Sequence, residues 1–326
     1  MKHRRFGRSG IKVSEVVFGG GNVGGILIRQ DDATKREAIR RALAGGINWI
    51  DTAAQYGNGQ SETALGWLLP EAGATPYVST KFNLDVENLK DIPAQIEERL
   101  MASLARLERK SVDLLQLHNR IGSKPGGRVM TVEQILGRNG VADGLERLRE
   151  KRLIRHMGIT AIGEAAAVCE VIGSGRFDSA QVYYNLLNPS AGRRMPKAWT
   201  GHNFTGVVEA CRANDVAVMA IRIFGAGIIA TDERTGRESI LTANTTAAEE
   251  ERKTKAVFET IEAGQGTRAQ VALRFVLSNP DISCAVIGSA ELQHIDEALQ
   301  AAEMGPLPAP TLAGLDALYK SDFGRV

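Results

Sequence analysis

The stretch FGGGNVGGILIRQDD, residues 18–32, decides between two folds. Gly19, Gly21 and Gly24 match the GxGxxG spacing that follows the first strand of a dinucleotide-binding Rossmann unit, and Asp51 closes the next apolar run. In that unit the third glycine already lies in a helix whose N-terminus faces the pyrophosphate. Here ILIRQDD intervenes before a helical pattern begins near Ala33. The glycines therefore read as a loop at a strand end, and the fold is decided by what repeats around them.

What repeats is a strand followed by a helix. Strand-like runs are VVFG (16–19), INWID (47–51), YVSTK (77–81), VDLLQLH (112–118), IRHMGI (154–159), SAQVYY (179–184), VAVMAI (216–221) and CAVIG (284–288). Between them, DIPAQIEERLMASLARLERK (91–110) repeats Ile92, Ile96, Leu100, Leu104 and Leu107 at helical spacing, with Asp91 as N-cap. TRAQVALRFVL (267–277) opens on the capping box Thr267–Gln270, and a final helix after Ser289 carries Leu292, Ile295 and Leu299 on one face. Eight such units exceed one Rossmann sheet and predict an α/β fold, a parallel (β/α)₈ TIM barrel. RRFGRSGIKV adds an N-terminal β-hairpin turning at Ser9 and Gly10. No linker divides the chain, so residues 1–326 read as one domain. Two irregular stretches, 119–140 and 225–247, follow predicted strand ends, the functional face of such a barrel.

Composition narrows the partners. A net charge of +2 arises from 40 basic and 38 acidic residues that are interspersed, so no face is dedicated to nucleic acid or anionic lipid. Cys169, Cys211 and Cys284 are widely spaced and form no CxxC, which argues against a disulfide framework or a zinc site and for a cytoplasmic location. The histidines show neither HxxxH nor HExxH spacing, so no metal is expected. MKHRRFGRSG is followed by no apolar signal region, and no run approaches a membrane span. A small-molecule partner is the expectation, and composition assigns no oligomeric state.

Asp51, Lys81 and His118 end three successive predicted strands, and barrel closure gathers those ends on one rim with Tyr56 just above them. A phenol is a poor acid near neutrality, a neighbouring ammonium favours its ionised form, and a carboxylate fixes the ammonium. A histidine beside them can hydrogen-bond to a substrate oxygen. The set reads as a proton-donating site.

With these residues in view the sequence resembles the aldo-keto reductase superfamily, through RRFGRSGIKVSEVVFGGG, NWIDTAAQYGNGQSETALG, STK, VDLLQLH, GIT, QVYYNLLN and VIGSAELQHIDEAL, spread over almost the whole chain. The resemblance implies a (β/α)₈ barrel that interconverts carbonyls and alcohols with NADP(H), NAD(H) being the alternative. It implies Tyr56 as general acid, tuned by Lys81 and Asp51, with His118 directing the carbonyl. It also implies cofactor contacts from Gly21, Asn22, Asp51, Thr160, Gln181, Arg222, Phe224, Gly225, Gly288, Ser289, His294 and Glu297. Arg222 is placed toward the pyrophosphate and Gln181 toward the carboxamide. Ala161, Ile221, His294 and Ala298 depart from the family's usual residues, and His294 stands where an Arg or Gln normally meets the 2'-phosphate. Barrels of this superfamily also serve as cofactor-binding regulatory subunits, so that alternative stands beside the enzyme.

Overall fold

The apolar runs pair edge to edge until the last meets the first. In the computed structural model, which describes residues 1–197, 199, 201–233 and 245–325, the strands are β1 (His3–Arg5), β2 (Lys12–Ser14), β3 (Val16–Gly19), β4 (Trp49–Asp51), β5 (Tyr77–Phe82), β6 (Val112–Leu117), β7 (Arg120–Gly122), β8 (Val129–Thr131), β9 (Ile154–Ala161), β10 (Ser179–Tyr183), β11 (Ala217–Ile221) and β12 (Cys284–Gly288). Eight of them form a closed barrel in the order β10-β11-β12-β3-β4-β5-β6-β9. Every pairing is parallel, and closure runs through Ala285↔Val16 to Gly288↔Gly19. The eight expected strands are the eight barrel staves, with boundaries shifted by no more than two residues.

The hairpin β1–β2 stops the barrel's N-terminal end. Its turn is longer than the expected Ser9–Gly10 reversal, with a 3₁₀ turn at Gly7–Ser9 and Gly10 left-handed at φ 77°. Phe6 is fully buried and its ring centroid lies 4.6 Å from that of Trp49, among Val13, Val17, Leu114, Ala217, Met219 and Cys284. Gly7 docks on the barrel backbone so closely that a Cβ would lie 2.6 Å from Ala217 N and Asp215 O. This end is a packed stopper.

Helices cover the outside. The helix Ile92–Leu107 is capped by Asp91, whose carboxylate accepts from Ala94 N at 3.1 Å, and the Thr267–Gln270 capping box forms as expected. The expectation of a final helix after Ser289 is corrected: Leu292–Met304 is followed by Ala309–Lys320. Leu315 and Tyr319 anchor that last helix, and the Tyr319 hydroxyl donates to Leu186 O at 2.9 Å. Residues 119–140 are more regular than expected, containing the β7–β8 ribbon and the capped helix Val132–Leu136. In the second stretch, Gly225–Gly227 forms a 3₁₀ turn and a helix runs over Ala247–Thr260. Residues 234–244 of that stretch lie outside the described residues.

Candidate active site

Strand alternation turns Ser79 and Lys81 to the same side of β5. There the Lys81 ammonium donates to Asp51 Oδ2 at 2.6 Å, to Thr52 O at 2.8 Å and to the Tyr56 hydroxyl at 3.1 Å. Asp51 Oδ1 accepts from Ser79 Oγ at 2.6 Å, Gln181 Nε2 at 2.8 Å and Gln116 Nε2 at 3.2 Å. Asp51 and Lys81 are 2% and 1% exposed, so the ion pair sits out of water with its hydrogen bonds made. Burial pushes the lysine down, but Asp51 and Tyr56 push it up by more, so its proton is held more tightly than an ordinary lysine's.

Tyr56 reaches the pair because the chain after it turns sharply. Gly57, Asn58 and Gly59 all have positive φ, of 59°, 52° and 91°, a conformation glycine and asparagine tolerate. The helix that follows is tied to the lysine's strand from below: buried Glu62 accepts from Thr80 Oγ1 at 2.5 Å and pairs with Arg106 at 2.6 Å. His118 presents its ring edge-on to Tyr56, with centroids 5.9 Å apart and planes at 87°. Its Nδ1 is buried and has no hydrogen-bond partner among the described residues.

Burial, followed by the cations Lys81, Arg128 and Arg222, pushes the His118 imidazole down to about 3. A base lowered this far stays neutral as pH falls through 6.5, so it can offer an N–H donor without a positive charge. The pH profile of kcat/KM is therefore expected to show no imidazole inflection between about pH 5 and 8. An inflection there that disappears in His118→Asn would contradict this electrostatic environment.

The residues expected to hold a nucleotide fall into three groups. Gly21 faces the Tyr56 ring, where a Cβ would lie 3.7 Å from ring carbons, and Asn22 Oδ1 accepts from Gly57 N at 2.7 Å. Gly24 packs on Ser289, leaving 2.4 Å between an added Cβ and Ser289 N. Ile26 N donates to Ser289 O at 3.1 Å, which joins this loop to the end of β12 beside Gly288. Arg29 clamps the same loop through the carbonyls of Asn22, Val23 and Gly24, at 2.8, 3.1 and 2.7 Å. Among the described residues, the buried Thr160 Oγ1 and Ser289 Oγ have no hydrogen-bond partner, as hydroxyls that meet a bound polar group would.

Arg222, at φ 61°, stands 5.3 Å from the Tyr183 ring centroid, with Phe224 and the left-handed Gly225 in the turn beyond. Other expected contacts already have protein partners. The Gln181 amide donates to Asp51, His294 Nδ1 accepts from Ala290 N at 3.2 Å, and Glu297 accepts from the Thr267 hydroxyl.

A rim carrying a buried lysine bonded to both a carboxylate and a phenol, with a neutral histidine alongside, agrees with what the whole chain matches. The model of the Aldo/keto reductase family covers residues 15–320. The chain belongs to this family. It is 26% identical to a D-threo-aldose 1-dehydrogenase of a Pseudomonas species, over 70% of this chain and 72% of that protein. It is also 26% identical to a probable voltage-gated potassium channel subunit beta of Arabidopsis thaliana, over 95% of this chain and 94% of that protein. The holo form of an aldo-keto reductase from Bacillus halodurans superposes with a TM-score of 0.75 at 22% identity, over 98% of this chain and 97% of the other. This aldo/keto reductase is thus an oxidoreductase that interconverts carbonyls and alcohols with a nicotinamide cofactor.

Three features of the site were not expected from the sequence. Ser79 and Gln116 saturate the carboxylate that holds Lys81, and Arg29 ties down the glycine loop. Ser79 carried a signal, since it lies two residues before Lys81 and shares its face. Gln116, two residues before His118, carried the same one.

Proposed function

We propose that Tyr56 is the general acid of an NADP(H)-dependent carbonyl reductase and, in the reverse direction, the base of an alcohol or sugar dehydrogenase. The observation that carries the reading is the single ammonium of Lys81 bonded to both Asp51 and the Tyr56 hydroxyl. A nicotinamide bound here supplies or accepts a hydride. The phenol gives its proton to the carbonyl oxygen as negative charge develops there, and the Lys81 N–H stabilises the resulting phenolate. Asp51 keeps that N–H aimed, and His118 donates to the same carbonyl oxygen and orients it. Consumption of NADPH on adding a simple aldehyde tests the reading, and its absence with every aldehyde, ketone and sugar tried would refute it.

Gly21, Asn22, Thr160, Gly288 and Ser289 would hold the cofactor, together with Arg222, toward the pyrophosphate, and Phe224 and Gly225 of the turn after β11. Gln181 would meet the carboxamide while keeping its bond to Asp51. The whole chain, 1–326, is read as one barrel acting in the cytoplasm on a small molecule. The free cysteines support that location, and among the described residues no helix is long and apolar enough to cross a membrane. The second reading, a cofactor-binding subunit of a larger assembly, draws on the similarity to a channel subunit. The complete proton-donating set favours the enzyme.

The 2'-phosphate would meet the Nε2 edge of His294, since Nδ1 accepts from Ala290 N, while Glu297 lies one helical turn on. An arginine there would add a charged fork suited to phosphate. His294→Arg should therefore raise the ratio of NADH to NADPH dissociation constants about tenfold, the worth of one charge-assisted hydrogen bond. Fluorescence titration of both cofactors measures it, and an unchanged ratio would remove His294 from the cofactor site.

A further inference from the structure

We propose that Trp49 and Ser79 are positioning residues for Tyr56, aiming Lys81 through Asp51 from the closed end of the barrel, an inference that rests on the reading of Tyr56 as the proton donor. One file of hydrogen bonds carries it. Trp49 Nε1 donates to Ser79 Oγ at 3.0 Å, and Ser79 Oγ donates to Asp51 Oδ1 at 2.6 Å. On the other carboxylate oxygen the Lys81 ammonium donates at 2.6 Å, and the same ammonium reaches the Tyr56 hydroxyl at 3.1 Å. Trp49 and Ser79 are fully buried, so neither can exchange its partner for bulk solvent.

Strand geometry builds the file. Trp49 and Asp51 stand two residues apart on β4 and share a face, about 7 Å from one another along the strand. Ser79 on β5 is paired with Asp51, and its hydroxyl bridges the indole below to the carboxylate above. The indole itself is held by two rings, Phe6 of the hairpin turn and Tyr77 of β5, with centroids 4.6 and 5.3 Å from its own. The stopper that closes the barrel's N-terminal end is therefore joined by hydrogen bonds to the phenol at the opposite rim.

Chemistry fixes the direction of every bond in this file. An indole N–H and an ammonium can only donate. Ser79 must then accept from Trp49 and give its one proton to Asp51, whose carboxylate accepts on both oxygens. Of the three donors to Oδ1, Ser79 is the nearest, at 2.6 Å against 2.8 Å for Gln181 and 3.2 Å for Gln116. Gln181 is also the residue expected to meet the carboxamide, so the fixed support of the carboxylate falls to Ser79. Without the indole N–H the serine hydroxyl is free to rotate away, and the mutual polarisation along the file is lost. A carboxylate held less firmly lets the ammonium turn from the phenol, and the cost appears when the phenolate forms, in the chemical step.

The test reads the single-turnover rate of benzaldehyde or glyceraldehyde reduction at saturating NADPH, with the NADPH dissociation constant measured alongside. Trp49→Phe should slow the step about threefold and Ser79→Ala about tenfold, as expected for a neutral and a charge-assisted hydrogen bond. Because the indole acts only through the hydroxyl, the double variant should be no slower than Ser79→Ala alone, whereas independent contributions would multiply to about thirtyfold. NADPH dissociation constants should stay within about twofold of the parent's. Val13→Ala loosens the same stopper cluster without touching the file, and its rate should also stay within about twofold. Should either substitution in the file fail to fold, benzothienylalanine at position 49 keeps the bicyclic shape, lacks the N–H and should show the same loss of about threefold.

A readout independent of turnover is the Trp49 indole N–H resonance, identified by its disappearance in Trp49→Phe. It should move in Asp51→Asn, while that of Trp67, on the outer helix Gln60–Glu71, stays in place. A rate unchanged on loss of the indole N–H, losses that multiply in the double variant, an equal loss in Val13→Ala, or a stationary Trp49 resonance would each overturn the proposal. Absence of turnover in the parent would instead count against the reductase reading, and the resonance would still decide whether Trp49 is coupled to Asp51.

Discussion

Tyr56→Phe lowers kcat for aldehyde reduction by about 10²–10⁴-fold while the NADPH dissociation constant changes by no more than about twofold. The substitution removes one oxygen. The ring that remains still meets the edge of His118 and still faces Gly21, so the wall of the site keeps its shape. What disappears is the group that receives a hydrogen bond from Lys81 at 3.1 Å and would pass its proton to the substrate. The loss belongs to the transition state and therefore appears in kcat. Single-turnover kinetics with an aldehyde, alongside fluorescence titration of NADPH, separates the two quantities. A variant that retains most of its kcat would remove Tyr56 from the proton path.

That the grouping of Asp51, Tyr56, Lys81 and His118 is legible in the sequence has a physical cause. In a closed parallel barrel the last residue of every strand reaches the same rim, so strand ends alone bring Asp51, Lys81 and His118 together without knowledge of any loop. Tyr56 is only five residues beyond Asp51, and its glycine-rich turn leaves few places for it to go. Cofactor contacts depend instead on competition between partners, which spacing does not record. His294 and Glu297 lie on the expected helix, yet one caps Ala290 and the other takes a hydrogen bond from Thr267, a residue from the start of a neighbouring helix.

Gln181 shows the same limit in a different form. Its position on β10 was readable, but its bond to Asp51 spans 130 residues of chain. The helix Ala309–Lys320 escaped because its entry, PLPAP, and the interior Gly314 interrupt the local helical signal, and burial of Leu315 and Tyr319 supplies what propensity does not.

Lys81→Met separates stability from chemistry at the centre of the site. Methionine fills much of the lysine's volume but leaves the Asp51 carboxylate, 2% exposed, without its cation. Removing one member of a buried ion pair costs about 3–5 kcal/mol, because the remaining charge stays out of water. Ser79, Gln116 and Gln181 still donate to Oδ1, which places the expected loss near the lower end, about 3 kcal/mol in denaturant unfolding. Adding Asp51→Asn removes the stranded charge, so the double variant should recover a large part of that stability. Activity should not return with it. The Tyr56 hydroxyl in both variants lacks the N–H at 3.1 Å that would stabilise its ionised form, so kcat should stay at least about 10²-fold below that of the parent. If Lys81 were only a structural strut, activity would rise as the fold recovered, and parallel recovery of stability and kcat in the double variant would establish that role in place of the catalytic one.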